Sequence, residues 1–351
     1  MSVGVREMIC RLGIAGGSFE RSAQNLRRAA QVQIGEESYR QIVESDGRAV
    51  LAAQDSEQLE LDWSAKDCKT KTPPGQEVSR IYLSADGVMA PVTTGAEKLK
   101  RRATVMKRRR EKRAARGSRR PRLAAVKGGA DQRYKQFNLV AFYDQDQEHR
   151  LVSVTRKDHR GLGRLMRRDA ARLRIRAADE RVAVIDGAPC LRNQIERQRL
   201  PMTAVGLDFY HLSEHVHKGR RETFGEQDEP GRIWAGEVLH TVRHEGYEPC
   251  WQKLVKWRGQ QRSPAKRHGA DELLHYVAER KEIIRYEQFE QHGWHIGSGP
   301  IEAMCKATTR RLKGPGMRWN RENAEALMAL EALYQSNQWD QYWTKLACQQ
   351  T

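Results

Sequence analysis

The chain has 351 residues, enough to bury one large core or two smaller ones, and its Lys and Arg outnumber Asp and Glu by 18. That balance points to a polyanionic partner, nucleic acid before an anionic membrane. No run of about 18 apolar residues exists, no apolar core with a cleavage site opens the chain, and six cysteines lie far apart without a Cys-x-x-Cys pair; no membrane span, signal peptide, disulfide scaffold or zinc ribbon is expected, and a reducing cytoplasm is.

Residues 4–52 read as helices. Val5, Met8, Ile9 and Leu12 make an apolar stripe, Gly16-Gly17-Ser18 ends it, and Ser18 is a candidate cap for 19–30. A turn at 31–35 leads to a helix over 36–52. This pattern suits a helix-turn-helix presenting Ser38, Arg40 and Gln41 to base edges, and equally an ordinary helical hairpin. Residues 53–79, polar and containing Pro73-Pro74-Gly75, read as a linker. Residues 80–85 form a short β-rich run ending at Asp86-Gly87, with 88–93 returning as a second extended piece. Between 98 and 127 stand fifteen Lys and Arg against one acid, Glu111. Such a block cannot bury a face and is expected to be a disordered or partly helical arm that orders on phosphates.

Strands at 137–143 and 150–155 make a hairpin. An amphipathic helix follows at 162–178, then an apolar strand at 181–185 ending in Asp186-Gly187. A short helix at 191–199 leads to a strand at 202–207 ending in Asp208. The order predicts an α/β fold, a mixed sheet with flanking helices and parallel crossovers in its second half. The chain turns helical from 211, and 222–292 read as an all-α insertion. Gly297, Ser298 and Gly299 then break the chain before Pro300 opens a helix that runs to about 313 and stops at Gly314-Pro315-Gly316. Ile301, Met304, Cys305, Thr308 and Leu312 face inward; Glu302, Lys306, Thr309, Arg310 and Lys313 share another face. Asn320 is expected to cap a last helix, 321–335, and Trp339 and Trp343 to dock the tail.

Asp86 and Asp186 each follow an apolar run and precede a glycine, and function in open α/β sheets gathers at the carboxyl ends of strands. Each Asp-Gly alone is a plain turn. Together with Glu302 on so basic a chain, they favour an all-oxygen site for Mg²⁺ or Mn²⁺. Two such ions, about 4 Å apart, activate a hydroxyl and stabilise the leaving oxygen of a phosphodiester. In the cluster Asp208, His211, His215 and His217, the first three have the Asp-x-x-His-x-x-x-His spacing suited to zinc on one helical face, but no fourth ligand stands at set spacing; the better reading has Asp208 orienting His211 beside the acid site.

Six segments carry a resemblance: REMICRLGIAGGSFERSAQNL, YLSADGVMAPV, LGRLMRRDAARL, VAVIDGAPCLRNQI, GLDFYHLSEHVHK and IGSGPIEAMCKATTRRLKGPGMRWNRENAEALMAL. Spanning nearly the whole chain, they resemble the Kra-type bacterial insertion-sequence transposases, relatives of the Mutator-like elements with a ribonuclease-H-like core. The resemblance implies a catalytic Asp-Asp-Glu set on Asp86, Asp186 and Glu302, holding two Mg²⁺ or Mn²⁺ ions, with Asp208 the rival for the second acid. It also matches a Cys/Asp-x-x-His motif to Asp208 and His211. The activity implied is cleavage of an element end to free a 3′-hydroxyl, which then attacks target DNA. The partners are double-stranded DNA, both terminal inverted repeats and target, and further copies of the chain, at the bacterial nucleoid.

Phosphates would be held by Lys98, Lys100, Arg101, Arg102, Lys107, Arg108, Arg109 and Arg110 of the arm and by Lys306, Arg310, Arg311 and Lys313. The implied organisation is a helix-turn-helix-like segment (1–52), a linker (53–79), the first part of the core (80–221), the insertion (222–292) and the last part of the core (293–351). Family members often carry further sequence ahead of the first matched segment. The competing functions are a non-catalytic or truncated transposase-derived DNA-binding protein and a nuclease of the same core fold.

Overall fold

The computed structural model describes residues 1–116 and 122–349. In chain order the elements are α1 (Val3–Ala15), α2 (Phe19–Ala30), α3 (Glu36–Asp55), β1 (Lys69–Lys71), β2 (Glu77–Pro91), α4 (Gly95–Arg116), β3 (Tyr134–Tyr143), β4 (Arg150–Thr155), α5 (His159–Arg172), β5 (Glu180–Ile185), α6 (Pro189–Arg197), β6 (Ala204–Leu207) and α7 (Phe209–Thr223). The insertion and the C-terminal part add α8 (Glu229–His244), α9 (Tyr247–Gly259), α10 (Pro264–Glu279), α11 (Tyr286–Gln291), α12 (Gly299–Arg310), α13 (Arg321–Gln335) and α14 (Trp339–Cys348). Residues 222–292 carry no strand among the described residues. No helix among those residues is long and apolar enough to cross a membrane.

The sheet is mixed, in the order β4-β3-β2-β5-β6, with β1 paired to the start of β2. β4, β3 and β2 run antiparallel, and β2, β5 and β6 run parallel. Side chains alternate across each strand. Tyr82, Val88, Val182 and Val184 face one core, with Ile9, Tyr39, Met304 and Leu330 from the N- and C-terminal helices. Ile81, Leu83, Ala183 and Ile185 face the other, with Leu165, Leu191, Val238 and Leu273. The fold is therefore an α/β sheet with one face covered by helices from the two ends of the chain and the other by the helices between them.

Four expectations need correction. β2 does not break at Asp86-Gly87: it runs straight through, paired to β3 as Asp86↔Leu139 and Gly87↔Asn138. Gly87 is there for close approach, since a Cβ would lie 2.1 Å from Nε2 of Gln136. The 53–79 stretch is not a free linker, because β1 pairs with β2 and both Ala65 and Cys68 are fully buried.

The 1–52 helices are part of the first core rather than a separate reading head. α3 passes so close to α13 that a Cβ on Gly47 would meet the carbonyl oxygen of Ala326 at 2.4 Å. Arg40 and Gln41 both donate to Glu37. The basic arm, expected to be disordered or partly helical, opens as the long helix α4, started by a reciprocal capping box in which Thr94 N donates to Glu97 Oε2 (2.9 Å) and Glu97 N to Thr94 Oγ1 (3.2 Å). Its residues 117–121 lie outside the described part. Ser18 caps α2 by accepting from Arg21 N, whereas Asn320 starts α13 with no side-chain cap bond.

One buried ion pair ties the sheet to the segment entering α12. Arg80, 1 % exposed, donates from Nε to Glu180 Oε2 at 2.5 Å and from Nη1 and Nη2 to the carbonyls of Gly293 and His292, both at 2.9 Å. Trp294 Nε1 donates to the same Glu180 oxygen. Arg80→Ala would strand Glu180 and is expected to cost about 3–5 kcal/mol in chemical denaturation. The double variant Arg80→Met, Glu180→Gln should recover part of that loss, because no uncompensated charge is left behind.

Candidate active site

β2 and β5 pair as far as Leu83 with Ala183, three residues short of Asp86 and Asp186, and the charge of Asp86 is felt at Asp186. Alternation along β2 puts Asp86 on the α12 face, that of Tyr82 and Val88, while Asp186 directly follows the last residue of β5. Asp86 Oδ1 accepts the amide of Gly87 at 2.6 Å, and Asp186 Oδ1 accepts that of Ala188 at 2.8 Å across a turn where Gly187 has φ +79°. Burial holds the Asp186 carboxyl above its usual pKa. The amide of Ala188 and the charges of His211 and Arg280 oppose this, while the negative charge of Asp86 adds to it.

α12 packs on the sheet beside Asp86. At its start, Ser298 donates from both N (3.0 Å) and Oγ to Asp208 Oδ2, and Phe209 N donates to Ile296 O. Further along, the Cys305 thiol faces Asp86; burial raises its pKa strongly, and the charge of Asp86 and a hydrogen bond to it push the same way. Glu302 lies between these two anchors, four residues after Ser298 and three before Cys305. Glu302 is half-buried and lies 3.6 Å from Lys306 Nζ.

Asp208 pins the start of α7 to the start of α12. It is wholly buried, Oδ1 accepts Tyr210 N at 2.6 Å, and Oδ2 is taken by Ser298. Burial works to raise its pKa, but His211, Ser298 and the two amides outweigh it and hold the carboxyl below its usual range. Both oxygens are engaged by the protein, whereas Asp186 carries its one backbone bond on Oδ1.

Asp208 also sets the state of His211. Nδ1 lies 3.4 Å from Asp208 Oδ2, an ion-pair contact too poorly aligned for a hydrogen bond. The pull of Asp208, with help from Asp186 and Glu214 and against burial, raises the imidazole pKa to about 9. His211 is therefore a cation at neutral pH. Because its folded pKa lies above the unfolded value, this stabilisation is complete below about pH 6.5 and is lost as pH rises through about 9. An NMR titration of the His211 ring should show a midpoint near 9 that falls towards neutrality in Asp208→Asn.

No known protein family matches the chain, and no curated protein matches it.

Carboxylates on three elements, two of them like-charged neighbours, are a donor set suited to a hard divalent cation. Among the described residues no three His, Cys, Asp or Glu side chains are already grouped at ligand distance. Glu302 is therefore not grouped with the two aspartates at ligand distance. His215 and His217 do not join the acids: His215 stacks on Tyr276, with ring centroids 3.5 Å apart, and burial keeps both imidazoles below the usual pKa.

Of the basic residues on the C-terminal segment, Lys306, Arg310 and Lys313 are exposed. Arg311 is not, which corrects its place among the phosphate ligands. It is 7 % exposed, donates from Nε to Gly13 O at 3.1 Å, and lies over the rings of Phe19 and Trp319. Helical drift past the basic stripe turns it into the α1–α2 contact. On α4, Lys100, Arg101, Lys107, Arg108 and Arg110 are exposed. Lys98 and Arg102 instead brace the returning chain by donating to the carbonyls of Gly128 and Ala124. Arg109 is half-buried. At the foot of α4 lies a basic cleft walled by Arg48, Lys98, Lys127, Lys135, Arg156 and Arg321. Sequence reading missed it because its cations come from six separate segments.

Proposed function

We propose that the chain is a DDE-type DNA transposase of a bacterial insertion sequence, with a ribonuclease-H-like core that cuts and joins DNA at Asp86, Asp186 and Glu302. The observation that carries this reading is the pairing of β2 with β5, which leaves Asp86 and Asp186 near enough for one charge to act on the other, with Cys305 of the Glu302 helix against Asp86. These three carboxylates would hold Mg²⁺ or Mn²⁺, which when bound as a pair supply an activated water and charge stabilisation at the leaving oxygen.

The rest of the chemistry falls to the chain itself. His211, cationic beside Asp186, offers a proton or a fixed positive charge where negative charge develops. Lys306, Arg310 and Lys313 continue the Glu302 helix as a phosphate-holding stripe, and α4 with the cleft at its foot grips the duplex. Hydrolysis at the element end frees a 3′-hydroxyl. That hydroxyl then attacks a target phosphodiester, one bond forming as one breaks, so no external energy source is needed. Copies of the chain would assemble on the two element ends.

The test is incubation of the full chain with Mg²⁺ and DNA carrying the flanking element end. Cleavage followed by joining to target supports the transposase. Cleavage without joining makes it a nuclease of the same fold, and binding without cleavage a DNA-binding regulator.

A further inference from the structure

The helical insertion reaches back to the acid cleft. Arg280 follows the last residue of α10, and its side chain is 13 % exposed. Nη1 donates to the carbonyl of Tyr276 at 3.0 Å and to Glu279 Oε2 at 3.2 Å, and the guanidinium lies 3.9 Å from the centre of the Tyr276 ring. Its Nε is buried with no acceptor. That atom packs against Gly187, where a Cβ would stand 2.7 Å from it. The Tyr276 hydroxyl is also buried without a partner, on a side chain of a residue 8 % exposed. The charges of His211 and Arg280 both act on Asp186, and the Tyr276 hydroxyl lies within electrostatic reach of Arg280, Asp186, Asp208 and Glu214.

Buried donors without acceptors are rare because each forfeits its hydration. Two of them on one guanidinium–phenol contact ask for an acceptor with several oxygens, and a guanidinium is the group best suited to a phosphate. We propose that Arg280 and Tyr276 from the helical insertion, with His211 across Asp186, bind a phosphodiester of the DNA strand being processed. The insertion then forms one wall of the active site. This inference rests on the proposed DNA reaction for its ligand.

The experiment uses the full chain in EDTA, so that cleavage plays no part. Binding of a fluorescein-labelled duplex is followed by anisotropy across a salt series. Arg280→Gln should weaken binding about tenfold and flatten the slope of log K against log salt by about one. Arg280→Lys should keep the slope, and Tyr276→Phe should lose about threefold in affinity. Tyr276→Phe removes only the oxygen, so it tests the site even where Arg280→Gln disturbs packing.

Unchanged affinity and slope in Arg280→Gln and Tyr276→Phe would overturn the proposal. So would broadening of the ³¹P line of inorganic phosphate that Arg280→Gln abolishes while duplex affinity stays put, since the site would then take free phosphate. If the wild type never cuts DNA but the Arg280 and Tyr276 losses appear, the phosphodiester site stands and the transposase reading fails. If the wild type cuts and joins but these variants bind as it does, the reverse holds.

Discussion

Glu302→Gln is expected to remove metal-dependent DNA cleavage by roughly a thousandfold or more, with the thermal midpoint barely moved. The amide keeps the shape of the side chain and removes the charge a divalent cation needs. Little else is lost, because the ion pair of Glu302 with Lys306 is half-exposed and 3.6 Å long, a surface contact of small worth. Asp186→Asn should be equally inactive yet no less stable, and in EDTA more stable. Burial already disfavours the Asp186 charge and Asp86 repels it, so an uncharged side chain relieves both. Loss of activity with a gain in stability is what a site assembled for an absent cation predicts. Cleavage kinetics and thermal unfolding in EDTA check the pair; an Asp186→Asn protein that unfolds at lower temperature, or a Glu302→Gln protein that still cuts, would remove Asp186 or Glu302 from the site.

Much of the scaffold was legible because hydrophobic periodicity decides it. The hairpin, the two parallel strands, the insertion and α13 follow directly from runs such as Val182–Ile185 and from stripes such as Ile301, Met304, Cys305 and Thr308, all buried. What could not be read depends on which surfaces meet across long separations. Asp86-Gly87 looks like a turn, and only the antiparallel pairing to β3 and the approach of Gln136 make it mid-strand. A helix-turn-helix and a helical hairpin share one pattern, and it is the contact of Gly47 with Ala326 that commits α3 to the core. The sequence pairs Asp208 with His211 but gives no sign of Ser298, ninety positions away, which takes its second oxygen. Arg280 was missed for the same reason, since nothing in its neighbourhood marks it as a neighbour of Gly187. The capping box Thr94-x-x-Glu97 was the exception, a local signal of α4 that the surrounding charge obscured.

The basic helix should dominate the salt dependence of DNA binding. α4 has 22 residues and is about 33 Å long, close to one turn of duplex, about 34 Å. Being exposed along nearly its whole length, it contributes little to the core, so its charge can be changed without unfolding the sheet. Replacing Lys100, Arg101, Lys107, Arg108 and Arg110 together with Gln removes five exposed cations and keeps helix propensity high. Each phosphate contact contributes about −0.9 to the slope of log K against log salt, so full engagement predicts a slope flatter by about four. Affinity near physiological salt should drop by at least a hundredfold, equally for element-end and unrelated DNA, because phosphate contacts position the duplex without reading its sequence. An unchanged slope would make α4 a solvated spur between β2 and β3. A loss confined to element ends would instead make α4 the reading element, a role that α3, with Arg40 and Gln41 held by Glu37, is poorly placed to fill.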